Sequence, residues 1–173
     1  CLFNTALSGE PLTSSLPQTL LGPNPEESLS LGVRARRELL TGAGQPAPLV
    51  CRLTIPEQAS NAWDLQLASG PLTNLAAGDV AGVGFWARSL DGEGELTVKL
   101  QKGSAPYQGL VTETVRPGLE WKLHWYAVKA TEAFQPAQLV FLLGSRAQRL
   151  ELAGITAVRF PAGPPLAAAE QVD

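Results

Sequence analysis

This 173-residue chain has little of what catalysis, nucleic-acid capture and membrane insertion each require. It holds two cysteines and one histidine, and only 17% of its residues are charged. Cys1, Cys51 and His124 are too few for a zinc site. His124 has no Ser or Cys constellation near it in sequence, so a histidine-activated nucleophile is poorly supplied and the residue reads as a surface or interface hydrogen-bonder. Basic residues do not cluster beyond Arg34, Arg36 and Arg37, and a formal net charge of -3 argues against an electrostatic grip on nucleic acid. No apolar stretch reaches the roughly 18 residues of a bilayer-spanning helix. No strand-helix-strand alternation appears, which speaks against Rossmann and barrel enzymes. Gly82 and Gly84 form no phosphate loop, because no helix pattern follows them. Aromatic residues make up 6% of the chain, few from which to build a binding platform.

What the chain does have is turn residues and alternation. It contains 17 Gly and 14 Pro within a composition that is 45% hydrophobic, enough apolar material for one domain with its own core. The stretch QLVFLLGSRAQRLELAGITAVRF, from Gln138 to Phe160, reads as strand, turn and strand. Leu139 to Leu143 is an unbroken apolar run, bounded by Pro136 and Gly144, that suits a strand covered on both faces. Leu150 and Leu152 alternate with Glu151, and Gly154 breaks the pattern where a bulge would re-aim the chain before Val158 and Phe160. The expected unit is a terminal hairpin closing a sandwich.

Upstream, the same period of two recurs. Leu29, Leu31 and Val33 alternate with Ser28, Ser30 and Gly32, and Leu49, Cys51, Leu53 and Ile55 share one face of a second strand, which makes Cys51 a small core residue before anything redox-active. Between them RARRELL has the composition of a short helical turn. WDLQL places Trp63, Leu65 and Leu67 on one face and Asp64 and Gln66 on the other. AGVGFWARS places Ala81, Val83, Phe85 and Ala87 opposite Gly82, Gly84, Trp86 and Arg88. DGEGE is a hairpin turn, and ELTVKLQ points Leu96, Val98 and Leu100 inward, Thr97 and Lys99 outward. LVTETV and WKLHWYAV add two strands, the second setting Trp121, Leu123 and Trp125 against Lys122, His124 and Tyr126. About nine or ten strands result. The expected fold is all-β, a two-sheet antiparallel jelly-roll sandwich over residues 29–160.

The sandwich is flanked by arms. Residues 1–28 form an irregular, proline-rich N-terminal arm whose Leu12, Leu16, Leu20 and Leu21 suggest a strap laid over the domain or a partner. Residues 161–173 are a proline- and alanine-rich tail with material for about two helical turns. Cys1 has two readings. It is either the modified cysteine of a processed bacterial lipoprotein, its acyl chains anchoring the protein to a membrane, or an arbitrary fragment boundary. A Cys1 to Cys51 disulfide is the weaker expectation.

The runs GDVAGVGFWARS, LTVKLQKGSAPYQ, LEWKLHWYAV and AQLVFLLGSRAQRLELAGITAV together resemble the carbohydrate-binding modules of families 4 and 9, particularly those found ahead of xylanase-type glycoside hydrolases. The resembling pieces are the strand with Trp63, the Gly78-Asp79 turn, Phe85 to Arg88, Glu120-Trp121, Phe141 to Gly144 and Gln148 to Gly154. The resemblance implies a jelly-roll or galactose-binding-like sandwich with more force than it implies sugar, since one fold hosts many functions.

Sugar binding needs an aromatic platform for the apolar face of a pyranose, with amides and carboxylates for its hydroxyls. Shared faces nominate Trp86 with Arg88, Asp64 with Gln66 and His124 with Tyr126, and a Pro106-marked loop adds Tyr107 and Gln108. Against this, Trp63, Trp121 and Trp125 read as core, because aromatics at strand spacing are usually packing. Asp91, Glu93 and Glu95 form a weak candidate for structural calcium, modules of the resembled kind often carrying one, but acidic residues in a turn are usually solvated. No catalytic residue is assigned. Two functions follow: a non-catalytic docking subunit of an envelope-associated assembly, on the extracytoplasmic, periplasmic or cell-surface side of a bacterial membrane and bound to other protein subunits, or a module that binds a glycan.

Overall fold

Alternation along the chain is converted into antiparallel pairing at every rung of the computed structural model, which describes residues 16–162. The strands are β1 (Gln18–Thr19), β2 (Ser30–Leu31), β3 (Arg36–Leu40), β4 (Val50–Ile55), β5 (Gln66–Ala68), β6 (Val80–Ser89), β7 (Leu96–Lys102), β8 (Gly109–Val115), β9 (Lys122–Lys129), β10 (Ala137–Leu142) and β11 (Gln148–Phe160). One four-residue helix, α1 (Pro25–Ser28), and a 3-10 turn at Ala62–Asp64 interrupt them. One sheet runs β3, β4, β11, β6, β9, with β1 also paired to β11; the other runs β2, β5, β10, β7, β8. The two form an antiparallel sandwich of the jelly-roll kind.

The core lies between the sheets and is built from alternate residues of each. Leu53, Val83, Phe85, Leu150 and Leu152 come from the six-stranded sheet, and Leu67, Val98, Leu100, Leu139 and Phe141 from the five-stranded one. Phe85 meets Phe141 edge to face across the interface, centroids 5.2 Å apart, an arrangement favoured by the ring quadrupoles. Cys51 is fully buried on this inner side, and burial pushes its thiol up to about 12, so it packs as a hydrophobe. The inward sides of β4, β6 and β7 are those expected from their alternation.

Gly154 makes the anticipated irregularity. Its φ of +58° lies in the left-handed region, and the β11 to β6 register shifts between Ala153 and Thr156. The bulge turns the Ile155 amide out of the ladder, where it donates to Glu26 Oε1 at 2.8 Å. Glu26 is itself buried, so the segment before the sandwich is pinned to its longest strand by this bond, by Leu20 and Leu21 beneath it, and by Arg37, which donates to the carbonyl of Leu29 at 2.6 Å. Leu16 stays exposed, whereas Leu12, Cys1 and the tail beyond residue 162 lie outside the described residues.

Several expectations need correction. β10 and β11 are not a hairpin: they belong to different sheets, and residues 143–147 carry the chain across the sandwich. Gln148 steadies that crossing, donating from Nε2 to the Glu95 and Leu143 carbonyls and accepting from the Glu95 amide. The segment read as a helical turn is β3, because five rungs of pairing with β4 outweigh the helix preference of its Arg, Glu and Leu. Trp63 is 60% exposed: it sits in the 3-10 turn, where successive side chains rotate by about 120°, so the two-residue alternation begins only at Leu65. On β9 the faces are reversed, with His124 and Tyr126 turned toward the interior and Leu123 and Trp125 toward solvent.

Candidate functional site

The outer face of the five-stranded sheet carries a groove of about 600 Å³ lined by Trp63, Gln66, Lys99, Gln101, Gly103, Tyr107, Gln138 and Leu142. Its volume falls within the usual span of ligand clefts, about 300–1,000 Å³. Strand register sets its layout, since directly paired residues share a face. Leu142 pairs with Gln66 at one end, Val140 pairs with Lys99 in the middle, and Gln138 pairs with Gln101 at the other end. The two end rungs are four residues apart on β10, about 13 Å along the strand.

An aromatic ring stands at each end. Trp63 is held by its turn, where Asp64 Oδ2 accepts from the Asn61 amide at 2.9 Å and Gln66 Nε2 donates to the Trp63 carbonyl at 2.8 Å. Tyr107 is half exposed and has a φ of +54°, a conformation rare for a bulky residue, closed by its amide donating to the Ser104 carbonyl at 2.8 Å. Between the rings the amides are positioned by hydrogen bonds. Gln101 Nε2 donates to Gln138 Oε1 at 3.3 Å, and Gln138 Nε2 donates to the Ser69 carbonyl at 3.0 Å. Each glutamine thereby keeps one amide hydrogen for a ligand.

A comparison with protein-family models and another with curated proteins found no match. Solved structures do match. A CBM4 module superposes with a TM-score of 0.61 at 18% identity, covering 85% of this chain and 96% of that one. Its fold is that of carbohydrate-binding modules. The second N-terminal cellulose-binding domain of Cellulomonas fimi β-1,4-glucanase C gives 0.52 at 19% identity, covering 87% and 95%. The CBM22-1 xylan-binding domain of Paenibacillus barcinonensis Xyn10C gives 0.54 at 12%, covering 86% and 95%. The resemblance seen in the sequence therefore extends to the fold.

Within this module fold the residues nominated from sequence separate into distinct places. Gln66 and Tyr107 line the groove. Asp64 and Gln108 stand beside it: Asp64 fixes the Trp63 turn, and the Gln108 carbonyl accepts from the Lys102 amide at 2.9 Å. Trp86 and Arg88 lie on the outer face of the opposite sheet. There the Arg88 guanidinium is committed, donating to Glu151 Oε2 at 2.7 Å and resting over the Trp121 ring at 4.8 Å. Glu151 has no solvent exposure and also accepts two bonds from Arg52, at 2.9 and 2.7 Å, so this face is cross-braced by two half-buried arginines on one buried carboxylate.

His124 and Tyr126 point between the sheets. His124 stacks on Phe85 with centroids 5.2 Å apart, its buried Nε2 has no protein partner among the described residues, and burial, with Lys122 adding to it, holds its pKa below the usual value. Tyr126 packs against the core, where burial and then Glu113 raise its pKa. The acidic turn residues diverge onto separate arginines: Asp91 onto Arg149, Glu93 onto Arg146 and Glu95 onto Arg116. Among the described residues no three His, Cys, Asp or Glu side chains converge on one point.

Sequence reasoning missed Trp63, Gln101, Gln138 and Leu142 as groove residues. It did place Lys99 outward on its strand, without assigning it to a site. The available signal was the polar side chain of Gln138 in the otherwise apolar β10, with Gln101 at an outward position of β7.

Proposed function

We propose that this chain is a non-catalytic glycan-binding module whose groove on the five-stranded sheet takes a segment of polysaccharide. The observation that carries the reading is a pair of exposed rings, Trp63 and Tyr107, at the two ends of a cleft floored by three glutamine amides. A pyranose offers an apolar face of C–H bonds and an equator of hydroxyls. The rings match the first and the amides the second, and neutral amides do so without a large desolvation penalty. An open groove about 13 Å long suits the interior of a chain better than a single sugar. Cellulose and xylan are the first ligands to test, because modules of this fold bind them.

Trp63→Ala is expected to lower affinity for the bound polysaccharide at least about tenfold in titration calorimetry, since one stacked platform is gone. A native chain retained by neither soluble nor insoluble cellulose, xylan nor any other polysaccharide tested would reject the reading.

A second reading, a docking subunit of a membrane- or envelope-associated assembly anchored by an acyl group on Cys1, draws on Leu123 and Trp125. These stand side by side on the outer face of β9, 57% and 48% exposed. Apolar side chains so placed suit a protein partner. Intact mass of the protein from its native source tests the anchor, and co-purifying subunits lost in Trp125→Glu would support docking; an unmodified mass with no co-purifying subunit would end it.

A further inference from the structure

We propose that the groove selects polysaccharides bearing carboxylates, those with uronic-acid residues, and that Lys99 is the residue that reads the charge. This deepens the glycan-binding reading and rests on it. Lys99 lies on the middle rung, between the two aromatic ends, so a chain laid from Trp63 to Tyr107 must pass it. It is also uncommitted. The other half-buried basic side chains of the described residues, Arg37, Arg52, Arg88, Lys102, Arg146 and Arg159, each donate to a protein oxygen, whereas Lys99 has no carboxylate within ion-pair distance.

Among the described residues no Asp or Glu lines the groove, so no described side chain of the cleft neutralises Lys99. Of the acidic residues beside the groove, Asp64 accepts from the Asn61 amide at 2.9 Å and Glu132 is held by Lys102 at 2.9 Å. A half-buried ammonium facing hydroxyls and amides makes hydrogen bonds assisted by its own charge alone. Facing a carboxylate, it makes one in which donor and acceptor are both ionised, and the Coulomb attraction of opposite charges is added. In a cleft partly withdrawn from water that difference is screened less than on open surface. A groove for neutral sugar alone would gain only hydrogen bonds from a lone positive charge at its centre, whereas a glycan carboxylate also pairs with the charge. The carboxylate is supplied by a substituent or backbone unit of the glycan, and the rings and amides hold the sugars on either side.

The test compares one polysaccharide in two forms, glucuronoxylan and the same polymer after its carboxyl groups are reduced to alcohols, with polygalacturonate and its reduced form as a second pair. The full chain, Lys99→Gln and Lys122→Gln are titrated against each, with circular dichroism to confirm folding. The native chain is expected to bind the acidic form about tenfold more tightly than the reduced form of at least one pair, a ratio that shrinks as NaCl is raised. Lys99→Gln should bring the ratio close to one, whereas Lys122→Gln, which removes the same charge from β9, should keep it. Equal binding of both forms by the native chain overturns the inference and leaves the glycan reading standing. A preference that survives in Lys99→Gln overturns the assignment to Lys99. Binding of neither form of either pair, nor of any neutral polysaccharide, overturns both.

Discussion

At the scale of single residues, His124 shows how an edge strand misleads a reading by parity. Its alternation with Leu123 and Trp125 assigns the aromatic and aliphatic side chains inward, yet it is the imidazole that stacks on Phe85. A strand at the sheet edge faces half-open surroundings on both sides, so polarity separates its faces weakly. The placement has a pH consequence. An unfolded histidine titrates near 6.5, and burial holds the folded value lower. Between those two values the unfolded chain binds a proton that the folded chain does not. Stability is therefore full above about pH 6.5 and falls as pH drops through the folded value. His124→Phe keeps the stacking, removes a buried nitrogen without a protein partner, and deletes that slope. Its stabilisation, about 1 kcal/mol at pH 7, should be larger at pH 5 in urea titrations. An equal effect at both pH values would show that the imidazole is not held neutral.

At the scale of elements, the sequence was readable wherever both faces of a strand had settled environments. β4, β6, β7 and β10 are central or doubly paired: the inward positions of β4, β6 and β7 follow their alternation, and the unbroken apolar run of β10 is buried on both faces at Leu139, Val140 and Phe141. β3 was not readable, because its strand character comes from β4 across the ladder rather than from Arg36, Arg37 and Glu38 themselves. The bulge at Gly154 was readable from glycine alone, but its partner was not, since Glu26 is 129 residues from Ile155. That pair predicts a specific asymmetry. Glu26→Ala leaves a buried amide unpaired and should cost about 1–3 kcal/mol, whereas Glu26→Gln retains an oxygen acceptor and should cost clearly less. Chemical denaturation of the two variants decides it; equal losses would mean that Glu26 acts through its charge or its packing and not as the acceptor for Ile155.

At the scale of the whole molecule, the sandwich divides labour between the faces of its strands, and β10 shows the division within six residues. Gln138 and Leu142 line the groove, whereas Leu139 and Phe141 lie in the core. The core was legible in sequence because burial imposes a local two-residue rhythm. The groove was not, because it gathers side chains from residues 63 to 142, some from one sheet face and others from the turns beside it, with no local rhythm in common. If the faces are independent, stability and binding separate. Phe141→Ala removes a ring fully buried against Phe85 and should cost about 3–5 kcal/mol, a large part of the stability of a domain this size. Its folded fraction should still bind polysaccharide with native affinity. Trp63→Ala, at an exposed turn, should do the reverse, losing binding with a thermal midpoint within about 2 °C of native. Calorimetric titration and thermal melts of both variants and of the double mutant should give additive effects in each measurement. Loss of affinity in folded Phe141→Ala would mean that the core shapes the groove through β10, and that this fold could not exchange one ligand face for another without repacking its interior.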